Sequence, residues 1–182
     1  MKLITYVAFL RGINVSGKRK VPMAELRAMC KKLRLQDVKT YIQSGNIVFK
    51  SSIAQTNDVA ILLHNEILKH FDFDVPVIVK TVDYLSQIIE KNPFNSQEDI
   101  SANKIYFVLL NSHPANELLE KLSEETFENE AYAVVDDCVY LKCSLGYGNA
   151  KLNNNLIERK LKVLATTRNY RTMNKMLEIS NE

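Results

Sequence analysis

Runs of apolar residues predict the elements of the first half of the chain. Residues 3–10 are rich in β-branched and aromatic side chains and predict a buried strand. Pro22 suits the first turn of a helix, and apolar residues then recur at helical spacing to about Leu35. Two strands joined at Ser44-Gly45, a helix and a last strand follow, at 38–43, 46–50, 56–71 and 75–80. The order β-α-β-β-α-β is typical of a ferredoxin-like, or split βαβ, domain.

The pattern of the second half predicts a related start and a different end. A linking helix from 81 to about 91 and a polar loop lead into a strand, a helix and a hairpin that turns at Asp136-Asp137. Two helices, at 150–162 and 168–179, close the chain, and Thr166 or Thr167 is the predicted N-cap of the second. We therefore predict an α+β fold of two ferredoxin-like subdomains with mainly antiparallel sheets, plus two C-terminal helices. The predicted N-terminal subdomain is 1–80, and the C-terminal α+β subdomain, with the closing helices, is 81–182.

Three blocks of sequence resemble the bacterial domain-of-unknown-function 1697 family. They are YVAFLRGINVSGKRKVPMAELR, VKTYIQSGNIVF and IERKLKVLATTRNYRTMNKMLE, and together they extend over essentially the whole chain. The resemblance implies the two-subdomain architecture and no activity, cofactor or catalytic residue. Tyr170 stands where the family commonly has a tryptophan.

Charge is distributed unevenly along the chain. The 182 residues, 46% hydrophobic and 25% charged, are typical of a globular protein, and their net charge is +3. Residues 1–80 carry 13 Lys and Arg against 6 Asp and Glu, residues 81–137 carry 3 against 12, and residues 138–182 carry 8 against 3. The two ends therefore attract anions, while the middle repels them.

Several classes of protein do not fit this sequence. The apolar stretch 4–10 is too short to span a membrane and lacks a cleavage pattern, so we expect neither a membrane segment nor a signal peptide. Three cysteines without paired spacing favour free thiols and a cytoplasmic location. The three histidines are scattered, so we expect no metal site, and no cofactor is indicated.

The segment RGINVSGKRK, residues 11–20, carries the candidate chemistry. In a split βαβ domain the first strand ends at the same end of the sheet as the turn between the second and third strands. The loop 11–20 and the hairpin 43–46 should therefore meet. Glycine N–H groups, cationic side chains and the start of the next helix favour a phosphate or another anion. The predicted anion-binding residues are Arg11, Gly12, Asn14, Gly17, Lys18, Gln43, Ser44 and Asn46. The alternative is a solvated basic face around an ordinary connection.

A second basic segment lies near the end of the chain. Arg168 and Asn169 are predicted to begin the last helix, and one hypothesis adds them to the anion site. The alternative is a capped helix that docks on the core.

The predicted function is a phosphate- or anion-binding module for a nucleotide, another phosphorylated small molecule or a nucleic-acid backbone. The loop is not a Walker A sequence, because Arg19 follows Gly17-Lys18 where a magnesium-binding hydroxyl would stand. The aromatic string of RNA-recognition domains is not matched either. No nucleophile has a base beside it in the sequence, so enzyme activity is undetermined. The alternatives are a protein–protein interaction module that uses the segregated charge, and an enzyme with a site between the subdomains; the oligomeric state is open.

Overall fold

Two antiparallel sheets, each with its own helices, carry the fold. The computed structural model describes residues 2–182, which divide into two compact units. The first unit ends at Ser86 and also takes in Lys175–Glu182, and the second is Gln87–Asn174. The predicted α+β class with antiparallel sheets is confirmed. The predicted subdomain bounds, 1–80 and 81–182, stay a prediction.

The first unit has the β-α-β-β-α-β order that the apolar pattern predicts. Its four strands pair antiparallel in the order β2-β3-β1-β4, so β1 lies between β3 and β4. This is the strand order of a split βαβ domain. The elements are β1 (Ile4–Leu10), α1 (Met23–Lys32), β2 (Gln36–Tyr41), β3 (Asn46–Ser51), α2 (Thr56–Phe71) and β4 (Val77–Thr81).

The core of the first unit lies between one face of this sheet and its two helices. Alternate residues of β1, beginning at Tyr6, point into this core, since successive side chains of a strand point to opposite faces. Leu26 of α1 and Leu63 of α2 are fully buried in the same cluster. The helical spacing of apolar residues along both helices therefore marks the faces that cover the sheet.

The second unit has a sheet of the same order, β6-β7-β5-β8, with antiparallel pairing throughout. Its strands are β5 (Ile105–Leu110), β6 (Glu130–Val135), β7 (Cys138–Cys143) and β8 (Ala165–Asn169). The remaining helices of the chain are α3 (Val82–Glu90), α4 (Gln97–Ser101), α5 (Asn116–Ser123), α6 (Asn154–Leu161) and α7 (Tyr170–Ser180).

The strand β8 corrects the sequence prediction for the end of the chain. Arg168 and Asn169 were predicted to begin the last helix, yet both lie in a strand, and α7 begins one residue later at Tyr170. The sequence of β8, ATTRN, is short and polar and lacks the alternating apolar pattern of a strand, because β8 lies at the sheet edge and pairs with β5 alone. The second unit is therefore a complete β-α-β-β-α-β unit.

Equivalent backbone hydrogen bonds show that the two units share one plan. The Leu10 N–H donates to the Gly45 carbonyl at 2.8 Å, and the Leu110 N–H donates to the Asp137 carbonyl at 2.9 Å. One residue further on, Arg11 donates to Pro76 at 3.0 Å and Asn111 to Leu164 at 3.1 Å. Residues 11 and 111 are thus structurally equivalent, although the sequences of the two halves show little similarity.

The helix α7 is capped by the residue before it rather than by a threonine. The Asn169 Oδ1 accepts a hydrogen bond from the Thr172 N–H at 2.9 Å. This satisfies one of the N–H groups that have no partner within the first turn of a helix. Asn169 is therefore the N-cap, a role predicted for Thr166 or Thr167.

Replacing this cap tests its role. Asn169→Ala should lower the free energy of unfolding by about 1 kcal/mol, because the Thr172 N–H loses its side-chain acceptor. Asn169→Ser, which keeps an acceptor oxygen, should lower the free energy of unfolding by only a few tenths of a kcal/mol. Urea unfolding followed by circular dichroism measures both; equal losses would contradict the capping role.

The three cysteines are free and buried, as the sequence predicts. Burial raises the pKa of the Cys30 thiol from 9.0 to about 12, and its own backbone opposes the shift. Burial also raises the pKa of Cys143 to about 12, with the Glu130 carboxylate adding to the shift. These thiols therefore stay protonated at neutral pH in the folded chain.

Thiol labelling should report unfolding. Native protein should react with a disulfide reagent such as dithiobis(nitrobenzoate) only slowly at about pH 8, and rapidly once urea unfolds it. Cys30 and Cys143 ionise near 9.0 when unfolded and near 12 when folded, so stability should fall as pH rises above about 9. Rapid labelling of native protein would show that the thiols are accessible.

Candidate anion-binding site

The loop after β1 and the β2–β3 hairpin meet, as the strand order predicts. Besides the bond from Leu10 to Gly45, the Asn14 Nδ2 donates to the Gln43 carbonyl at 2.8 Å. The approach is close, because a Cβ on Gly45 would lie 2.6 Å from the Leu10 Cβ and 2.7 Å from the Ile13 Cδ1. We call residues 11–20 and 43–46 together the rim.

Asn14 holds the rim in shape. Its Nδ2 donates to the carbonyls of both Val21 and Gln43, and its Oδ1 accepts from the Val21 N–H at 2.9 Å. Its φ of 54° is in the left-handed region, which asparagine tolerates better than most residues. Both amide hydrogens are donated within the protein, so in this structure Asn14 positions the loop; its predicted contact with an anion stays a prediction.

A tight turn forms the tip of the loop. The Lys18 N–H donates to the Val15 carbonyl at 3.0 Å, and Ser16 and Gly17 between them have φ of 50° and 74°. Two positive φ values are the signature of a type I′ turn, which glycine allows at its second position. The turn leaves the Lys18 side chain exposed.

Arg19 and Lys20 are not among the predicted site residues, although both are exposed beside Lys18. The Arg19 Nη1 lies 3.5 Å from where a Cβ on Gly12 would be, so the guanidinium folds back over that glycine. The run of three cations in the sequence was the signal for these residues.

The hairpin contributes a mixture of exposed and buried residues to the rim. Gln43 and Ser44 are exposed. Asn46 is fully buried, and its Nδ2 donates to the Tyr41 carbonyl at 3.1 Å. The predicted residue Asn46 therefore lies beneath the surface that a ligand would meet.

The electrostatic character of the rim is uniformly positive. Arg11, Lys18, Arg19 and Lys20 lie in residues 11–22, and that segment and the hairpin contain no Asp or Glu. The helix α1 starts directly after this segment, with Pro22 at its N-cap and no side-chain cap. The N–H groups of its first turn add to the positive potential, although Glu25 in that turn opposes it.

Arg168 and Asn169 belong to the second unit and make local contacts there. The Arg168 side chain is buried, and its Nη1 donates to the Thr166 Oγ1 at 2.9 Å and to the Thr167 carbonyl at 2.8 Å. Burial lowers the pKa of the Arg168 guanidinium to about 10, and Tyr147 opposes the shift. The guanidinium is thus charged at neutral pH. That these two residues join the rim in one site stays a prediction.

Neither a membrane span nor a metal cluster is found in residues 2–182. No helix in this part of the chain is long and apolar enough to cross a bilayer. Its His, Cys, Asp and Glu residues form no group of three that could hold a metal ion.

Comparisons with known proteins give a family and a fold. A sequence model of the family described as "Protein of unknown function (DUF1697)" matches residues 3–140. The structure of the conserved bacterial protein SP0830 from Streptococcus pneumoniae is similar, with a TM-score of 0.74 at 21% identity. The match covers 98% of this chain and 99% of that one, and shows that the two share a fold. No curated protein matches the sequence.

Glycine 45 offers a test of the contact that builds the rim. Gly45→Ala should lower the free energy of unfolding by about 2–3 kcal/mol, because the new Cβ meets Leu10 and Ile13 and the φ is +74°. Gly17→Ala is the matched control, since Gly17 has the same φ with open space around it, and should cost only about 1 kcal/mol. Urea unfolding of both variants measures the difference; similar losses would mean that the hairpin does not press on β1.

Proposed function

The chain belongs to the DUF1697 family, whose description names no activity, and we propose from its own residues that the rim binds a phosphate-bearing ligand. The ligand is a phosphorylated small molecule or the backbone of a nucleic acid, which present the same charged group. The proposal rests on the length, order and charge of the loop after β1.

The observation that carries the proposal is a difference between the two units. The connection from β1 to α1 has twelve residues, 11–22, whereas the equivalent connection from β5 to α5 has five, 111–115. The same step from strand to helix thus needs only the shorter loop. The longer one is nevertheless ordered, by Asn14 and by the turn at Ser16-Gly17. A connection that is long, ordered and cationic is typical of a binding loop.

The donors of the loop suit phosphate oxygens. Lys and Arg side chains form strong, charge-assisted hydrogen bonds with phosphate. Within the part of the chain that the structure describes, the N–H groups of Ser16 and Gly17 donate to no backbone carbonyl. Successive N–H groups at a tight turn form a concave anion site, and the exposed ammonium groups beside them supply the charge.

Neutralising the tip of the loop tests the proposal. The variant Lys18→Ala/Arg19→Ala/Lys20→Ala should bind a fluorescent single-stranded oligonucleotide more weakly than the wild type. If all three cations contact phosphates, the slope of log K against log salt should become less negative by about 2. Fluorescence anisotropy at several salt concentrations measures both quantities.

A second arm uses small ligands. Thermal unfolding with ATP, a sugar phosphate or inorganic phosphate should show stabilisation of about 2.7 kcal/mol at 100 times the dissociation constant. Shifts with these ligands but not with the oligonucleotide would identify a small molecule as the ligand.

The control neutralises three exposed lysines outside the rim, Lys69→Ala/Lys121→Ala/Lys151→Ala, with the same change in net charge. It should leave both assays almost unchanged. Equal losses of affinity in the two triple variants would show that the effect comes from net charge and not from the rim. If no ligand binds, the proposal is refuted.

A further inference from the structure

A cleft of about 510 Å³ opens in the first unit beside the edge strand β2. It is lined by three lysines, Lys31, Lys39 and Lys50, and by apolar residues that include Val38, Val48 and Ile179. Cavities that hold small molecules in proteins commonly measure about 300–1,000 Å³. No residue of the rim, as the structure describes it, lines the cleft.

The cleft lies where β2 loses its regular pairing with β3. Gln36 pairs with Lys50 and Lys39 pairs with Val48, so β2 has one residue more than β3 between these positions. Asp37 within this bulge has a φ of 50°. The equivalent strands of the second unit, β6 and β7, pair without a shift from Glu130 to Val135. The bulge is thus a departure from the common plan, of the kind that re-aims side chains next to binding sites.

Two of the three ammonium groups already hold carboxylates. The Lys50 Nζ lies 2.6 Å from the Asp37 carboxylate. The Lys39 Nζ lies 3.3 Å from the Glu182 carboxylate and donates to the Ile179 carbonyl at 3.4 Å. Side chains of these pairs are about two-fifths to three-fifths exposed, at 39–61%, and such pairs contribute little to stability. An anion that enters the cleft can therefore displace a carboxylate at small cost.

We propose that this cleft binds a small organic anion with an apolar body, whose carboxylate or sulfonate takes the place of the Glu182 carboxylate at Lys39. The lysines fix the charged end, and Val38, Val48 and Ile179 contact the apolar body. An apolar pocket with a few converging charged groups selects such amphipathic ligands over a bare inorganic ion. This site is separate from the rim and does not depend on the function proposed there.

The test uses the full chain and 8-anilinonaphthalene-1-sulfonate, a fluorescent organic anion with an apolar body. The probe should bind saturably at one site. Lys39→Met/Lys50→Met should weaken binding about tenfold or more, because charge-assisted hydrogen bonds are lost. Glu182→Gln should tighten it about twofold to fivefold, because the competing carboxylate is removed. Decanoate should displace the probe, and inorganic phosphate at the same concentration should not.

Lys69→Met/Lys121→Met is the control matched in charge, since both lysines are exposed and lie outside the cleft and the rim. It should bind the probe as the wild type does. Circular dichroism and thermal unfolding check that each variant is folded. If the double lysine variant does not fold, Glu182→Gln alone decides, because an exposed substitution of this kind leaves the core intact. Unchanged affinity in Glu182→Gln, or displacement of the probe by phosphate as effectively as by decanoate, would overturn the proposal.

Discussion

The contact between the β2–β3 hairpin and the end of β1 is the constraint on which the candidate site depends. The Gly45 carbonyl accepts from the Leu10 N–H, and the approach is so close that only a residue without a Cβ fits at position 45. The same hydrogen bond recurs at Leu110 and Asp137, so it belongs to the common plan of both units. In both units the loop is also tied to the hairpin a second time, through Asn14 to the Gln43 carbonyl in the first and through the His113 ring to the Asp136 carbonyl, at 2.9 Å, in the second.

The two units share one backbone plan, and the first unit has two additions to it. The strand order and the hydrogen bonds at the strand ends are the same in both units, and these specify the fold. The twelve-residue loop and the bulge in β2 occur in the first unit and not at the equivalent places of the second. Neither is needed to complete a sheet of this order, because the second unit completes one without them. The two binding sites proposed for this chain lie at these two differences.

The sequence predicts the first unit well and the site only in outline. The continuous apolar run of β1 predicts a buried strand, and helical spacing along α1 and α2 locates the faces that cover the sheet, because burial imposes these patterns directly. Strand order also predicts that loop and hairpin meet. It does not predict that the Asn14 side-chain amide donates within the loop, or that Asn46 is buried. Both depend on the path of the backbone through positive φ values. The sequence does not indicate β8 for a related reason. An edge strand made of Thr, Arg and Asn has no apolar period, and its pairing with β5 is a non-local interaction.

The two cationic surfaces of the first unit differ in how their charges are balanced. The rim segments contain four cations and no carboxylate, so their field extends into the solvent until salt screens it, over about 8–10 Å. In the cleft, Lys39 and Lys50 each hold a carboxylate of the protein, so their fields largely cancel beyond contact distance. Binding of a polyanion at the rim, as proposed, should therefore depend strongly on salt. For the ligand proposed in the cleft, shape and apolar contact should contribute more to selectivity than long-range charge does.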